Sequence, residues 1–127
     1  MEHTLRAIFS AIDAFDVDSF LGFLAPEAKF TLGNLPPACG AAEIRQAFTG
    51  FASSLTHLQH EIVDIWITKD AWIVEQRVTY GDPWHRLHIL PCTNVMRHRD
   101  GLITDYRVFV DVSPLFIPPV AAAQATA

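Results

Sequence analysis

The chain has 127 residues, with 9 Lys+Arg against 14 Asp+Glu for a formal charge of −5, and half of it is hydrophobic (50%). That length sets one compact domain, and so apolar a chain excludes intrinsic disorder, which combines low hydrophobicity with high net charge. The acidic balance and the lack of any basic run exclude sequence-independent binding to nucleic acid, whose phosphates reward clustered Lys and Arg. The two cysteines, Cys39 and Cys92, are too few for a disulfide framework or a four-ligand zinc site and suit a reducing compartment. The first fifteen residues carry a charge every few positions, unlike a signal peptide, and no apolar run approaches the roughly 20 residues a bilayer requires. A cytoplasmic protein with no membrane partner is expected.

Leu5, Ile8, Phe9, Ile12 and Phe15 recur at helical spacing with Glu2, Arg6 and Asp13 off the stripe, which predicts an amphipathic helix ending near Phe15. Asp16 is placed to cap a second, shorter helix carrying Val17, Phe20, Leu21 and Leu24, which Pro26 closes. Ala28 to Leu32 reads as a short strand, and residues 33–37 (GNLPP) as a turn-rich loop. After Gly40, a third helix follows from Ile44, Phe48, Phe51 and Leu55. From His57 the period changes to two, and four β-branched, aromatic-rich segments follow: EIVDIWIT, AWIVEQRVTY, RLHILPCTNVMRH and LITDYRVFVD. Short turns at Lys69-Asp70, Gly81-Asp82-Pro83 and Asp100-Gly101 join them into an antiparallel meander. Helices followed by a run of strands predict an α+β fold, the helices packed on one face of a curved, mainly antiparallel sheet. The domain is expected over residues 1–117, with 118–127 a flexible tail set off by Pro118-Pro119.

This order of elements, together with DVDSFLGFLAPEAKF, LPPACG and NVMRHRDGLITDYRVFVD, resembles the NTF2-like superfamily and within it the SnoaL-like branch. The nearest local likeness is to limonene-1,2-epoxide hydrolases, through Leu35 to Gly40 and Gln76-Arg77-Val78-Thr79. The resemblance implies a cone-shaped fold around one pocket. Its known catalytic sets are not retained. Where the epoxide hydrolases hold a water with Tyr, Asn and Asp, this chain has Phe30, Leu32 and Val108, and the acidic partner of the arginine at Arg77 is replaced by Thr79. The Asp and His of the polyketide cyclases fall on Val108 and Asn94, and the Tyr and base of ketosteroid isomerases on Ile8 and Leu32.

Strand alternation supplies other candidates. If Arg77 faces the pocket, as its counterpart does in that family, Glu75 and Thr79 face it too. Asn94 shares a face with Cys92, Leu90 and His88, and Val108 with Tyr106 and Val110. The candidate catalytic set is therefore Glu75, Arg77, His88 and Asn94. Phe30, Leu32, Thr79, Leu90, Cys92, Tyr106, Val108 and Val110 are the candidate substrate contacts. Glu75 and Arg77 form either a structural ion pair or a proton carrier beside an oxygen-orienting cation; His88 is either a general base or a hydrogen-bonded core residue; Asn94 polarises a carbonyl or satisfies a backbone group. His57 and His60, like His85 and His88, lie three apart and so on opposite faces of a strand, which opposes a metal site. No metal and no cofactor are expected.

The leading expectation is thus acid–base chemistry on an apolar, oxygenated small molecule by isomerisation, dehydration or cyclisation. The alternatives are a non-catalytic ligand-binding or dimerisation module, and a divergent epoxide hydrolase. A homodimer through the sheet's outer face would absorb the remaining apolar surface.

Overall fold

The computed structural model describes residues 1–119. Its helices are α1 (Glu2–Asp13), α2 (Val17–Leu21) and α3 (Gly40–Ala52). Its strands are β1 (Leu24–Leu32), β2 (Ala38–Cys39), β3 (His57–Ile67), β4 (Ala71–Gly81), β5 (Leu87–Arg99) and β6 (Leu102–Phe109), and a 3-10 turn at Ser113–Phe116 follows. The strands form one six-stranded sheet in the order β2-β1-β6-β5-β4-β3. β3 through β6 make the expected meander, while β1 returns to lie parallel beside β6. The predicted α+β class and mainly antiparallel sheet are what the chain adopts. Of the tail expected at 118–127, residues 120–127 lie outside the described residues.

Local chemistry fixes the turns. α1 closes in a Schellman motif: the Phe15 amide donates to the Ile12 carbonyl and the Asp16 amide to the Ala11 carbonyl, with Phe15 at φ +55°. Glycine is usual at that position, and a side chain there costs about 1 kcal/mol. Asp16 caps α2 as expected, accepting from the Ser19 amide at 3.1 Å and its hydroxyl at 2.6 Å. α2 is shorter than the spacing predicts because it stops at Gly22, and the chain is already extended by Leu24. Gly81 permits a close approach to β3: a Cβ there would stand 2.5 Å from Thr56 Oγ1 and 2.9 Å from the His57 backbone nitrogen. Asp100 and Gly101, both at positive φ, form the tight β5–β6 hairpin.

The helices bury their apolar stripes against one face of the sheet. Leu5, Ile8 and Phe9 of α1 and Ile44 and Phe48 of α3 meet Trp72, Val74, Met96 and Tyr106 from the strands. Phe20 sits at the centre, its ring 5.1 Å from Phe48, 5.7 Å from Tyr106 and 5.8 Å from Phe30. Truncating so enclosed a ring costs about 3–5 kcal/mol. A second cluster of Val78, Tyr80, Cys92 and Leu115 closes the far end of the sheet. Bulges between Ile62 and Asp64 and between Arg97 and His98 break the register and bend the strands around the helices.

Candidate functional site

Between the two clusters the side chains do not fill the interior. An apolar cavity of about 60 Å³ remains, walled by Phe20, Phe30, Leu32, Phe48, Tyr106 and Val108 and bounded toward solvent by Phe15 and Leu55. Two features make this space more than a packing defect. Polar side chains from four strands reach it: His60 on β3, Tyr80 on β4, Asn94 on β5 and Tyr106 on β6. The strained Phe15, 40% exposed, also stands at its edge. Left-handed strain in a bulky residue persists only where something else holds it, and such residues cluster at ligand sites.

His60 is held by an acid. Its neighbours along β3, Leu58 and Ile62, follow the same inward alternation, so the strand carries the imidazole into the apolar interior. Asp13, the last residue of α1, receives it: Oδ1 lies 2.5 Å from His60 Nδ1, and Oδ2 accepts the His60 backbone amide at 2.9 Å. Phe9 stacks on the ring at 5.3 Å. A carboxylate on Nδ1 favours the tautomer with the proton there, which leaves Nε2 with its lone pair, and the His60 side chain lines the cavity. Asp13 opens on the other side, into a polar cleft between α1 and β3 that His60 also lines, so the pair bridges solvent and cavity.

Hydrogen-bond donors line the same cavity. Burial pushes the Tyr80 and Tyr106 phenols well above their usual range, which keeps both protonated. Asn94 is 1% exposed and its Nδ2 donates to Gln76 Oε1, while Cys92 Sγ lies 3.9 Å from its Oδ1. Gln76 Nε2 has no partner among the described residues. Turning both amides over gives that orphaned donor to Asn94 Oδ1 and sets Asn94 Nδ2 beside Cys92 Sγ.

The expected catalytic set does not converge here. Glu75, Arg77 and Thr79 lie on the opposite, outer face of β4; both charged residues are exposed, and neither makes an ion pair among the described residues. The inward face of β4 is Trp72, Val74, Gln76, Val78 and Tyr80. This corrects the placement of all three residues. His88 does point inward but is tied elsewhere: its Nε2 sits 2.9 Å from Oδ2 of the fully buried Asp82, which also accepts Arg86 Nε at 2.6 Å and the Trp84 and Arg86 amides at 2.9 Å. Burial raises the Asp82 carboxyl, but the bonds from His88, Arg86 and Trp84 outweigh it and hold the group well below the carboxylate range. His88 is therefore part of a charged knot at the β4–β5 turn rather than a base beside the cavity.

Asn94, Phe30, Leu32, Tyr106 and Val108 line the cavity, as alternation implies; Leu90, Cys92 and Val110 belong to the second cluster instead. Burial pushes the Cys92 thiol up to about 12, which leaves it unreactive. No group of three or more side chains suited to a metal occurs among the described residues. Sequence reasoning missed Asp13 and His60. Two signals were available: an acid closing a helix against the negative end of its dipole, and a histidine in phase with Leu58 and Ile62.

A three-helix, six-strand α+β fold around a part-filled pocket defines the NTF2-like class, and solved structures agree. An NTF2-like protein of unknown function from Burkholderia pseudomallei superposes with a TM-score of 0.82 at 15% identity, covering 89% of this chain and 92% of that one. A proposed SnoaL-like polyketide cyclase from Jannaschia sp. CCS1 gives 0.80 at 14%, covering 92% of each. A hypothetical protein of ketosteroid isomerase-like fold from Catenulispora acidiphila, in complex with trimethylamine, gives 0.80 at 12%, covering 87% of each. Within that class, residues 5–106 match the SnoaL-like domain, and the chain belongs to that family. No curated protein sequence matches the chain. No helix among the described residues is long and apolar enough to cross a membrane.

Proposed function

We propose that this SnoaL-like protein is an enzyme that moves a proton on an apolar, oxygenated small molecule without a cofactor, in an isomerisation, dehydration or cyclisation. The observation that carries this reading is the Asp13-held His60 beside an otherwise apolar cavity. His60 Nε2 takes the proton from the carbon next to a carbonyl. Tyr106, Tyr80 and Asn94 supply donors for the oxygen on which the charge develops, and Asp13 stabilises the imidazolium that forms. Dry walls strengthen each of these interactions. The epoxide-hydrolase reading is weaker: Phe30, Leu32 and Val108, which stand where a nucleophilic water would be held, are apolar walls of the same cavity. A homodimer through the outer face is also part of the proposal, supported by Leu87 and Ile89 exposed there at 67% and 68%; light scattering that gives a monomer mass would remove it.

The test is solvent-deuterium incorporation next to the carbonyl of butan-2-one, cyclohexanone and larger ketones, followed by NMR. Exchange accelerated over buffer supports the enzyme. Binding of these ketones without accelerated exchange returns the protein to the alternative of a non-catalytic ligand-binding module.

A further inference from the structure

The cavity is too small to enclose the substrate class just proposed. At about 60 Å³ it falls well short of the roughly 150 Å³ apolar cavity that accepts a benzene ring. A ligand whose carbonyl reaches His60 must therefore extend beyond the cavity. The wall that separates the cavity from further apolar space is narrow. Leu32 and Phe51 line the cavity, a neighbouring groove of about 970 Å³ bordered by Leu35, Phe109, Val110 and Phe116, and a second groove of about 340 Å³ between α3 and the β1–β2 loop. No other described residue borders all three.

Phe51 is placed to move. It occupies the last turn of α3, its ring 6.2 Å from Tyr80 on the cavity side and 6.4 Å from Phe116 on the groove side. Phe116 is 49% exposed, so the groove side offers little resistance. The residue before it, Gly50, has no atom within 4 Å of where a Cβ would stand, and a glycine inside a helix weakens the turn around it.

We infer that Phe51 is a specificity-determining partition, and that the ligand is an elongated molecule with one oxygenated end at His60 and an apolar tail that displaces Phe51 to lie in the Phe109–Phe116 groove. This rests on the reading of the cavity as the reaction site, but not on His60 acting as the base. The groove suits a tail rather than a head group: its lining is mostly apolar, with Asn34, Thr93, Asp111 and Ser113 among its border residues.

The experiment is a chemical-shift titration of the full chain with methyl ketones from butan-2-one to decan-2-one. Affinity should rise with length by up to about fourfold per methylene, the worth of burying one such group. Phe116→Ser, at a half-exposed position that tolerates change, should flatten that rise while leaving butan-2-one within twofold. Phe51→Trp should weaken decan-2-one at least tenfold more than it weakens butan-2-one. Affinity that does not depend on chain length in the unsubstituted protein overturns the inference, as do equal losses along the whole series in Phe116→Ser. The length dependence should persist in His60→Gln, so a failure of the acid–base reading and a failure of this one are told apart.

Discussion

Replacing Asp13 by Asn tests the pair on which the proposed chemistry rests. The carboxylate accepts two bonds from one residue, from His60 Nδ1 at 2.5 Å and from the His60 amide at 2.9 Å, and its side chain is one-quarter exposed. An amide keeps one acceptor oxygen but turns an NH2 toward the other donor. A hydrogen bond to a charged group is worth about 1.5–3 kcal/mol, and partial exposure trims this. A loss of about 2 kcal/mol, or a Tm lower by roughly 6–10 °C, follows. The catalytic loss should be larger. The amide no longer fixes the proton on Nδ1 or stabilises the imidazolium, and general-base catalysis contributes about 10²–10⁴-fold. Asp13 does not line the cavity, so kcat should fall by that factor with KM nearly unchanged in the deuterium-exchange assay, while circular dichroism shows a retained fold. An exchange rate within twofold of the unsubstituted protein, or a raised KM with unchanged kcat, would refute the reasoning.

Phe15→Gly and Phe15→Ala both remove the ring, but only glycine relieves the positive φ, so the glycine variant should be more stable by about 1 kcal/mol in urea titrations, and both should bind ketones more weakly. Asp82 is held ionised by His88 and Arg86, with its folded pKa below the unfolded one, so its contribution is present above the ordinary carboxylate pKa of about 4 and fades as pH falls below it. Urea midpoints measured from pH 7 to pH 3 should therefore drop more steeply in the unsubstituted protein than in Asp82→Asn. A thiol reagent under native conditions should titrate one cysteine quickly, the exposed Cys39, and reach the buried Cys92 only on unfolding.

The fold was legible because its signals are local and agree with one another. Helical stripes at Leu5–Ile12 and Ile44–Phe51, the Asp16 cap and the Asp100-Gly101 hairpin each act within a few residues. The parallel return of β1 beside β6 was not legible, since pairing across more than seventy residues leaves no local mark. At the site, phase decided the outcome. Trp72, Val74, Val78 and Tyr80 alternate as an inward apolar row and put Glu75 and Arg77 outside, whereas anchoring the strand on Arg77 by family likeness inverted it. The same alternation read correctly on β5 and β6, where Asn94, Tyr106 and Val108 reach the cavity. His60 and Asp13 are separated by 47 positions and meet only when α1 packs on β3, so composition and spacing do not join them.

The most direct test of the central claim sets four variants side by side in the deuterium-exchange assay: His60→Gln, Asp13→Asn, Glu75→Gln and Arg77→Met. If the reaction centre is the inward pair, the first two lose about 10²-fold or more, and the last two, on the outer face, exchange at the rate of the unsubstituted protein. Full exchange in His60→Gln, or its loss in Arg77→Met with the fold intact, would contradict the account.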